Sequence, residues 1–326
     1  MNADTPDPRT MRAALELAGR APSLHNSQPW RWRITDHTGQ LYADDTRLLP
    51  ATDPTGRELV ISCGAALHHA RVAFASMGWR SLVRHLPNPA EPNHLASMEF
   101  ARLKTVPDQV VHLARAITDR RTDRRPFLPA PVPDADLDRM ESAAELEHAT
   151  LTVVDSAAAR RELVVAMTAV NELQRDDADY RAELAVWAGR RLGAVDGAPA
   201  SELLDAQQNG RPLLARDFAA AGGGDLRFPP IDDGAALAVL STRRDDRPSW
   251  LCAGEALSAV LLAATRAGLA SCTLSQIAEV QPVRDAVRAA VPGAGQPQLL
   301  LRLGWAVTAD YPAPRSPRRP LAEVVD

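Results

Sequence analysis

Two stretches of this chain repeat one another. Cys63-Gly64-Ala65-Ala66-Leu67 through Met77-Gly78 aligns without a gap on Ala253-Gly254-Glu255-Ala256-Leu257 through Ala267-Gly268. Gly64/Gly254, Ala66/Ala256, Leu67/Leu257, Ala73/Ala263 and Gly78/Gly268 coincide, each pair 190 positions apart. An internal repeat is the first thing a fold must accommodate. Both stretches read as apolar helices, with small residues near the start that let another backbone come close and with Gly78 or Gly268 as the C-cap. Chance similarity between two alanine-rich helices is the competing explanation.

More of the two halves can be matched. Trp30 to Asp36 and Ala149 to Asp155 each alternate like a strand that ends in a turn. Strand-like runs follow each core helix: Ser81 to Leu86 and Leu95 to Phe100, then Leu269 to Leu274 and Gln298 to Leu303. The pattern is helix, strand, strand, helix, strand, strand, given twice. It predicts an α+β fold with helices packed on a mainly antiparallel sheet. The halves are expected at 1–115 and 116–326, facing each other as the subunits of a homodimer do. The second half carries roughly seventy extra residues between its first strand and its core helix. These include 187–230, broken by Gly193, Gly197, Pro199 and the run Gly222-Gly223-Gly224. Insertions of that length commonly serve as lids.

Composition narrows the function. Hydrophobic residues at 45% and charged residues at 24% describe an ordinary globular chain. A net charge of -4 gives no overall basic excess for a nucleic-acid backbone. The most apolar run, Leu251 to Leu269, carries Glu255 and Arg266 and reads as a buried core helix, not a membrane span. Met1 to Thr10 is polar and does not resemble a signal peptide. Cys63, Cys252 and Cys272 form no CxxC pair and lack the usual zinc-ligand spacing, so they read as reduced, buried thiols of a cytoplasmic protein. No G-x-G-x-x-G follows a strand.

Four segments can carry chemistry. Arg20-Ala21-Pro22-Ser23-Leu24-His25-Asn26-Ser27-Gln28-Pro29-Trp30 is dense in short hydrogen-bonding side chains. It is either a stiff loop for a heteroaromatic ring with polar edges or a plain helix-to-strand turn. Asp119-Arg120-Arg121-Thr122-Asp123-Arg124-Arg125 is either a phosphate clamp or a solvated linker. The tail Pro314-Arg315-Ser316-Pro317-Arg318-Arg319-Pro320-Leu321 either completes that clamp or lies in solvent. Cys272-Thr273-Leu274-Ser275-Gln276 ends a strand in polar residues, where a backbone N–H can face a reactive ring atom.

Together these segments resemble the nitroreductase superfamily, and most closely its dormancy-associated, Acg-type mycobacterial branch. The resemblance runs from Arg20 to Val325. Pro22-Ser23-Leu24-His25-Asn26-Ser27-Gln28-Pro29-Trp30 is similar to the family's APS-x-x-N-x-QPW signature. The arginine cluster is similar to its RRS-x-R start, with Thr122 at the serine position. The family likeness implies one FMN held across two halves. The loop comes from the first half, and the arginine cluster and tail come from the second. Glu145-Leu146-Glu147-His148 stands where a mirror-image loop would be, and nothing in it matches.

The roles implied by the resemblance are these. Arg120, Thr122, Arg124, Arg318 and Arg319 hold the FMN phosphate. Arg121 is a further candidate for that phosphate, although it and Arg125 point the other way if the segment is extended. Pro22, Ser23 and Leu24 contact the isoalloxazine ring, and His25, Asn26 and Gln28 lie near it or support the loop. Leu274, Ser275 and Gln276 approach N5. NAD(P)H serves as the reductant, and a small-molecule acceptor such as a nitroaromatic or quinone takes the electrons. No side-chain acid, base, nucleophile or metal is required, and the fused halves are compatible with a monomer. If the insertion folds over the flavin, the family likeness also allows an FMN storage or sequestering protein, or a flavin enzyme with a dedicated pocket.

Overall fold

A computed structural model describes residues 5–35, 38–190, 194–200, 203, 214–218, 232–307 and 313–326. In chain order its elements are α1 (Pro8–Ala18), β1 (Trp30–Ile34), β2 (Thr38–Ala43), α2 (Arg57–Ser76), β3 (Trp79–His85), β4 (His94–Arg102), α3 (Asp108–Asp119) and α4 (Asp134–Leu146). There follow β5 (Thr150–Val153), α5 (Ala157–Asp176), α6 (Ala178–Trp187), β6 (Ala188–Arg190), β7 (Ala198–Pro199) and β8 (Ala236–Thr242). The chain closes with α7 (Arg247–Arg266), β9 (Ala270–Leu274), α8 (Gln276–Glu279), α9 (Gln281–Ala290) and β10 (Gln296–Gly304).

Two sheets carry the repeat. One has the order β1-β2-β4-β3 and the other β5-β8-β10-β9, with every neighbouring pair antiparallel. The orders are the same once β8 takes the place of β2. In the first half a hairpin joins the first two strands. In the second half α5, α6 and the insertion separate them. Helix α3 spans the expected join at 115/116.

The core helices α2 and α7 form the axis of the molecule. Both start earlier than their alanine-rich repeats suggest, at Arg57 and Arg247, so Gly64 and Gly254 fall inside the helices. The two glycines meet. A Cβ on Gly64 would lie 2.2 Å from the Leu251 carbonyl oxygen, and one on Gly254 would lie 2.0 Å from the Ile61 oxygen. Glycine inside a helix costs about 1 kcal/mol relative to alanine. The close crossing offsets that cost by packing two long apolar helices against each other. Both helices end at a left-handed glycine, Gly78 with φ +86° and Gly268 with φ +79°. At the crossing His68 Nδ1 and His69 Nδ1 each lie 2.7 Å from Ser258 Oγ. Burial, with Arg71 adding to it, lowers the His68 pKa to about 3, so the imidazole is neutral.

By length and composition α2 and α7 are apolar enough to cross a membrane, yet most of each is buried inside the fold. Cys63 and Cys272 are buried and Cys252 is half-buried. The C-terminal segment leaves the second sheet and docks on the first. Trp32 N donates to Val324 O at 2.7 Å and Asp326 N to Trp32 O at 2.8 Å, with Val324 buried beneath.

Alanine at Gly64 or Gly254 has no room. Each substitution is expected to cost about 1–3 kcal/mol or more, read as a lower thermal unfolding midpoint. Gly19→Ala, whose Cβ would sit 3.5 Å from its nearest neighbour, is expected to change the midpoint little.

Candidate functional site

The loop after α1 is held in an unusual shape. Leu24–Asn26 forms a short 3-10 turn, and His25, Asn26 and Gln28 take positive φ values of 47°, 56° and 51°. Such residues cost of order 1–3 kcal/mol each and persist only where their surroundings fix them. Here the surroundings do. Ser23 Oγ accepts from Gln28 N at 2.9 Å, and Ser62 Oγ of α2 accepts from Leu24 N at 3.2 Å. Asn26 Nδ2 donates to the Gly197 and Pro317 carbonyls, each at 3.0 Å. Gln28 donates to Val195 O at 2.9 Å and accepts from Arg319 N at 2.8 Å. The Arg318 guanidinium donates to Asn26 Oδ1 at 3.0 Å and to Arg20 O at 3.1 Å. The loop is therefore tied from both sides, by the C-terminal segment and by 194–200.

The arginine segment runs beside β9. Thr122 forms a parallel bridge with Ser271, and Asp123 N donates to Ser271 O at 2.9 Å. Arg302 of β10, fully buried, holds the segment by donating to Arg125 O at 3.0 Å and pairing with Asp233 at 2.9 Å. Extended backbone sends alternate side chains to opposite sides. Arg125 turns inward onto Asp123, at 2.6 Å. Arg121 donates to the Thr118, Asp119 and Arg120 carbonyls that end α3.

Two depressions lie at the junction of the halves. The larger opens to solvent and holds about 780 Å³ of empty space, counting its mouth. The first half contributes Pro22, Ser23, Leu24, His25, Glu58, Ile61 and Ser62; the second contributes Thr122, Arg124, Leu257, Leu299 and the strand end Cys272 to Ser275. The smaller is a basic niche bordered by Arg20, Arg120, Arg121, Thr122, Arg315, Ser316 and Arg318. Thr122 borders both.

The structure thus gathers Pro22, Ser23, Leu24, His25, Thr122, Arg124, Leu274 and Ser275 around the larger cavity, and Arg120, Arg121, Thr122 and Arg318 around the niche. It separates Arg319, Gln276, Asn26 and Gln28 from both. Arg319 donates to Gln28 O at 3.3 Å and Glu323 O at 2.9 Å, and so braces the loop. The Gln276 amide is turned to Asn171 at 2.9 Å and Gln174 at 2.7 Å. Arg124 borders the cavity and not the niche, with its guanidinium 5.7 Å from the Phe218 ring centre. Asn26 and Gln28 are buried, with their amides turned to the Gly197 and Val195 carbonyls.

Part of the insertion covers the cavity. Of the expected lid, residues 191–193, 201–202, 204–213 and 219–230 lie outside the described residues. Within the described part, Ala215, Arg216 and Phe218 border the cavity. Arg216 is buried, pairs with Glu279 of α8 and donates to Ser275 Oγ at 3.0 Å. Phe218 meets His25 edge-on at 6.4 Å. Burial, reinforced by Arg216 and Arg124, pushes the His25 pKa well below its usual value, so the cavity meets a neutral imidazole. Arg216, Phe218 and Glu279 carry no periodic or motif signal in the sequence. Glu58, on the wall of the same cavity, belongs with them.

Elsewhere the fold brings His85, Cys252 and Glu255 together, their ligand atoms within 4.8 Å of one another. Cysteine spacing alone does not foresee that cluster. Two partners already serve its carboxylate: Arg71 at 2.8 Å and His85 at 2.9 Å, whose pKa rises mainly through its hydrogen bond to Glu255.

This fold and this junction are those of a two-half α+β protein, and the chain belongs to the nitroreductase family, whose model matches residues 117–305. A Mycobacterium tuberculosis protein provisionally named NAD(P)H nitroreductase Rv3131 is 45% identical, over 100% of this chain and 94% of its own length. The acg protein of the same species, named in the same way, is 43% identical over 96% of this chain and 94% of its own. Among solved structures, the FMN-dependent nitroreductase NfnB of Mycobacterium smegmatis in complex with NADPH is similar at 22% identity. It covers 66% of this chain and 97% of its own, with a TM-score of 0.42.

The Arg216–Glu279 pair tests how firmly the cover is seated. Glu279→Gln leaves a buried guanidinium without its carboxylate and is expected to cost about 3–5 kcal/mol in denaturant unfolding. Asp285→Asn, which breaks the exposed pair with Arg288, is expected to change stability by less than about 1 kcal/mol.

Proposed function

We propose that the chain binds one FMN across the junction of its halves, taken as 1–115 and 116–326, and works as an NAD(P)H-dependent oxidoreductase on a small acceptor such as a nitroaromatic or a quinone. The observation that carries the reading is the position of Thr122, on the wall of both the larger cavity and the basic niche. One elongated ligand with a flat body and an anionic end fills both. Leu24, Ile61, Leu257, Leu274 and Leu299 offer apolar walls to the ring. Arg120, Arg121, Thr122 and Arg318 offer charge-assisted bonds to the phosphate, with Arg20 and Arg315 adding positive charge. The donor set therefore fits FMN.

FMN, when bound, supplies two-electron transfer by hydride at N5. The chain's own residues bind, orient and shield. Pro22, Ser23 and Leu24 pack against the ring from the first half, and Leu274 and Ser275 border it from the second. Asn26, Gln28, Arg318 and Arg319 hold the loop in its strained shape, so ordering it is not left to the moment of binding. His25 stays uncharged and adds no cation beside the ring. The names of the two mycobacterial relatives support NAD(P)H as reductant, and NfnB supports FMN with NADPH. Because both walls come from one chain, a monomer suffices.

A second reading is favoured by the cover. Arg216 is sealed onto Glu279 and Ser275, and Phe218 lies against His25. A cover that stays shut keeps nicotinamide out and makes the protein an FMN store.

Arg120→Ala is expected to weaken FMN binding about tenfold or more, because a hydrogen bond to a charged group contributes about 1.5–3 kcal/mol. Titration of flavin fluorescence measures it, and an unchanged affinity contradicts the phosphate role. Anaerobic NADPH and NADH separate the two readings. Rapid bleaching of the flavin absorbance supports the reductase, and bleaching by dithionite alone supports storage. If the cover is what limits access, Phe218→Ala is expected to speed bleaching.

A further inference from the structure

Glu58 sits in the first turn of α2 and borders the larger cavity. It is 5% exposed, and its Oε1 has no hydrogen-bond partner among the described residues. The residue's backbone is engaged: Glu58 O accepts from Ser62 Oγ at 2.7 Å. A buried polar atom left unsatisfied costs about 1–3 kcal/mol. A buried carboxyl on a cavity wall escapes that cost when a ligand supplies the missing partner.

We propose that Glu58 is a binding residue of the cavity, whose carboxyl group pairs with the carbonyl and imide N–H edge of the ring held there. The proposal rests on the FMN reading and deepens it by naming the atoms recognised. The surroundings set the protonation state. Burial first, then Asp53 in the preceding turn and Glu279 of α8, push the Glu58 pKa well above the usual carboxyl range; Arg57 on its own helix and Arg216 of the cover oppose the shift. Across the cavity stand Arg124 and the neutral His25. A neutral acid has one donor and one acceptor, the complement of a carbonyl beside an imide N–H. A carboxylate offers acceptors alone and repels the carbonyl oxygen.

The neutral form is the binding form, so affinity falls as pH rises through the pKa of Glu58, which burial sets above the usual carboxyl range. Two other groups titrate lower: Asp53, raised by burial to about 6, and the FMN phosphate, near about 6.

The experiment is a fluorescence titration of the cofactor-free protein with FMN at several pH values from about 7 to about 9.5, the range reached by buried glutamates. Wild type is expected to lose about tenfold or more in affinity across that range. Glu58→Gln keeps one donor and one acceptor without a titrating proton. It is expected to bind within about threefold of wild type at pH about 7 and to show a flat profile. Glu58→Ala is expected to bind about tenfold more weakly, with thermal unfolding as the check that it folds. Identical pH profiles for wild type and Glu58→Gln overturn the proposal, as does full affinity in Glu58→Ala. Wild type that fails to bind FMN at any pH overturns the cofactor reading itself, which is a different result from a Glu58 variant that binds normally.

Discussion

Everything in this molecule hangs on two helices that touch through glycine. Gly64 and Gly254 bring the backbones of α2 and α7 closer than any side chain would permit, and the two sheets lie outward from that contact. The larger cavity opens beside the same pair, since Glu58, Ile61 and Ser62 belong to α2 and Leu257 to α7. A wider crossing would part the first-half loop from the arginine segment of the second half. Stability and site geometry thus share one constraint.

The sequence carries the architecture because the repeat is written in small residues, whose role is steric and local. Gly64/Gly254 and Gly78/Gly268 keep their spacing because one pair marks a contact and the other a helix end. The strands are legible for a similar reason: a half-buried antiparallel strand must alternate. Helix starts are less legible. Arg57 and Arg247 open α2 and α7 with charged residues that the apolar pattern does not include.

The site is legible only in part. The loop and the arginine segment stand out as dense local motifs. What a motif does not give is direction. Arg319 and Gln276 sit within such segments, yet their side chains turn to Gln28 and to Asn171 with Gln174, because packing decides which face of a turn is inside. Arg124 faces the cavity instead of the niche for the same reason. Glu58 and Arg216 are the opposite case. Nothing near them in sequence marks them, and they matter only because the fold buries a charged group beside an opening.

The crossing also shows what a single chain can do that a symmetric pair cannot. His68 and Ser258 occupy equivalent places in the two core helices, and they face each other, 2.7 Å apart. Identical subunits about a true twofold axis would set histidine against histidine there, or serine against serine. Here one partner is an imidazole and the other a hydroxyl, so a donor can always meet an acceptor without either group taking a charge. A substitution in this chain lands once. Residues on the axis are therefore free to become unlike, and the two sides of the junction can take up different work.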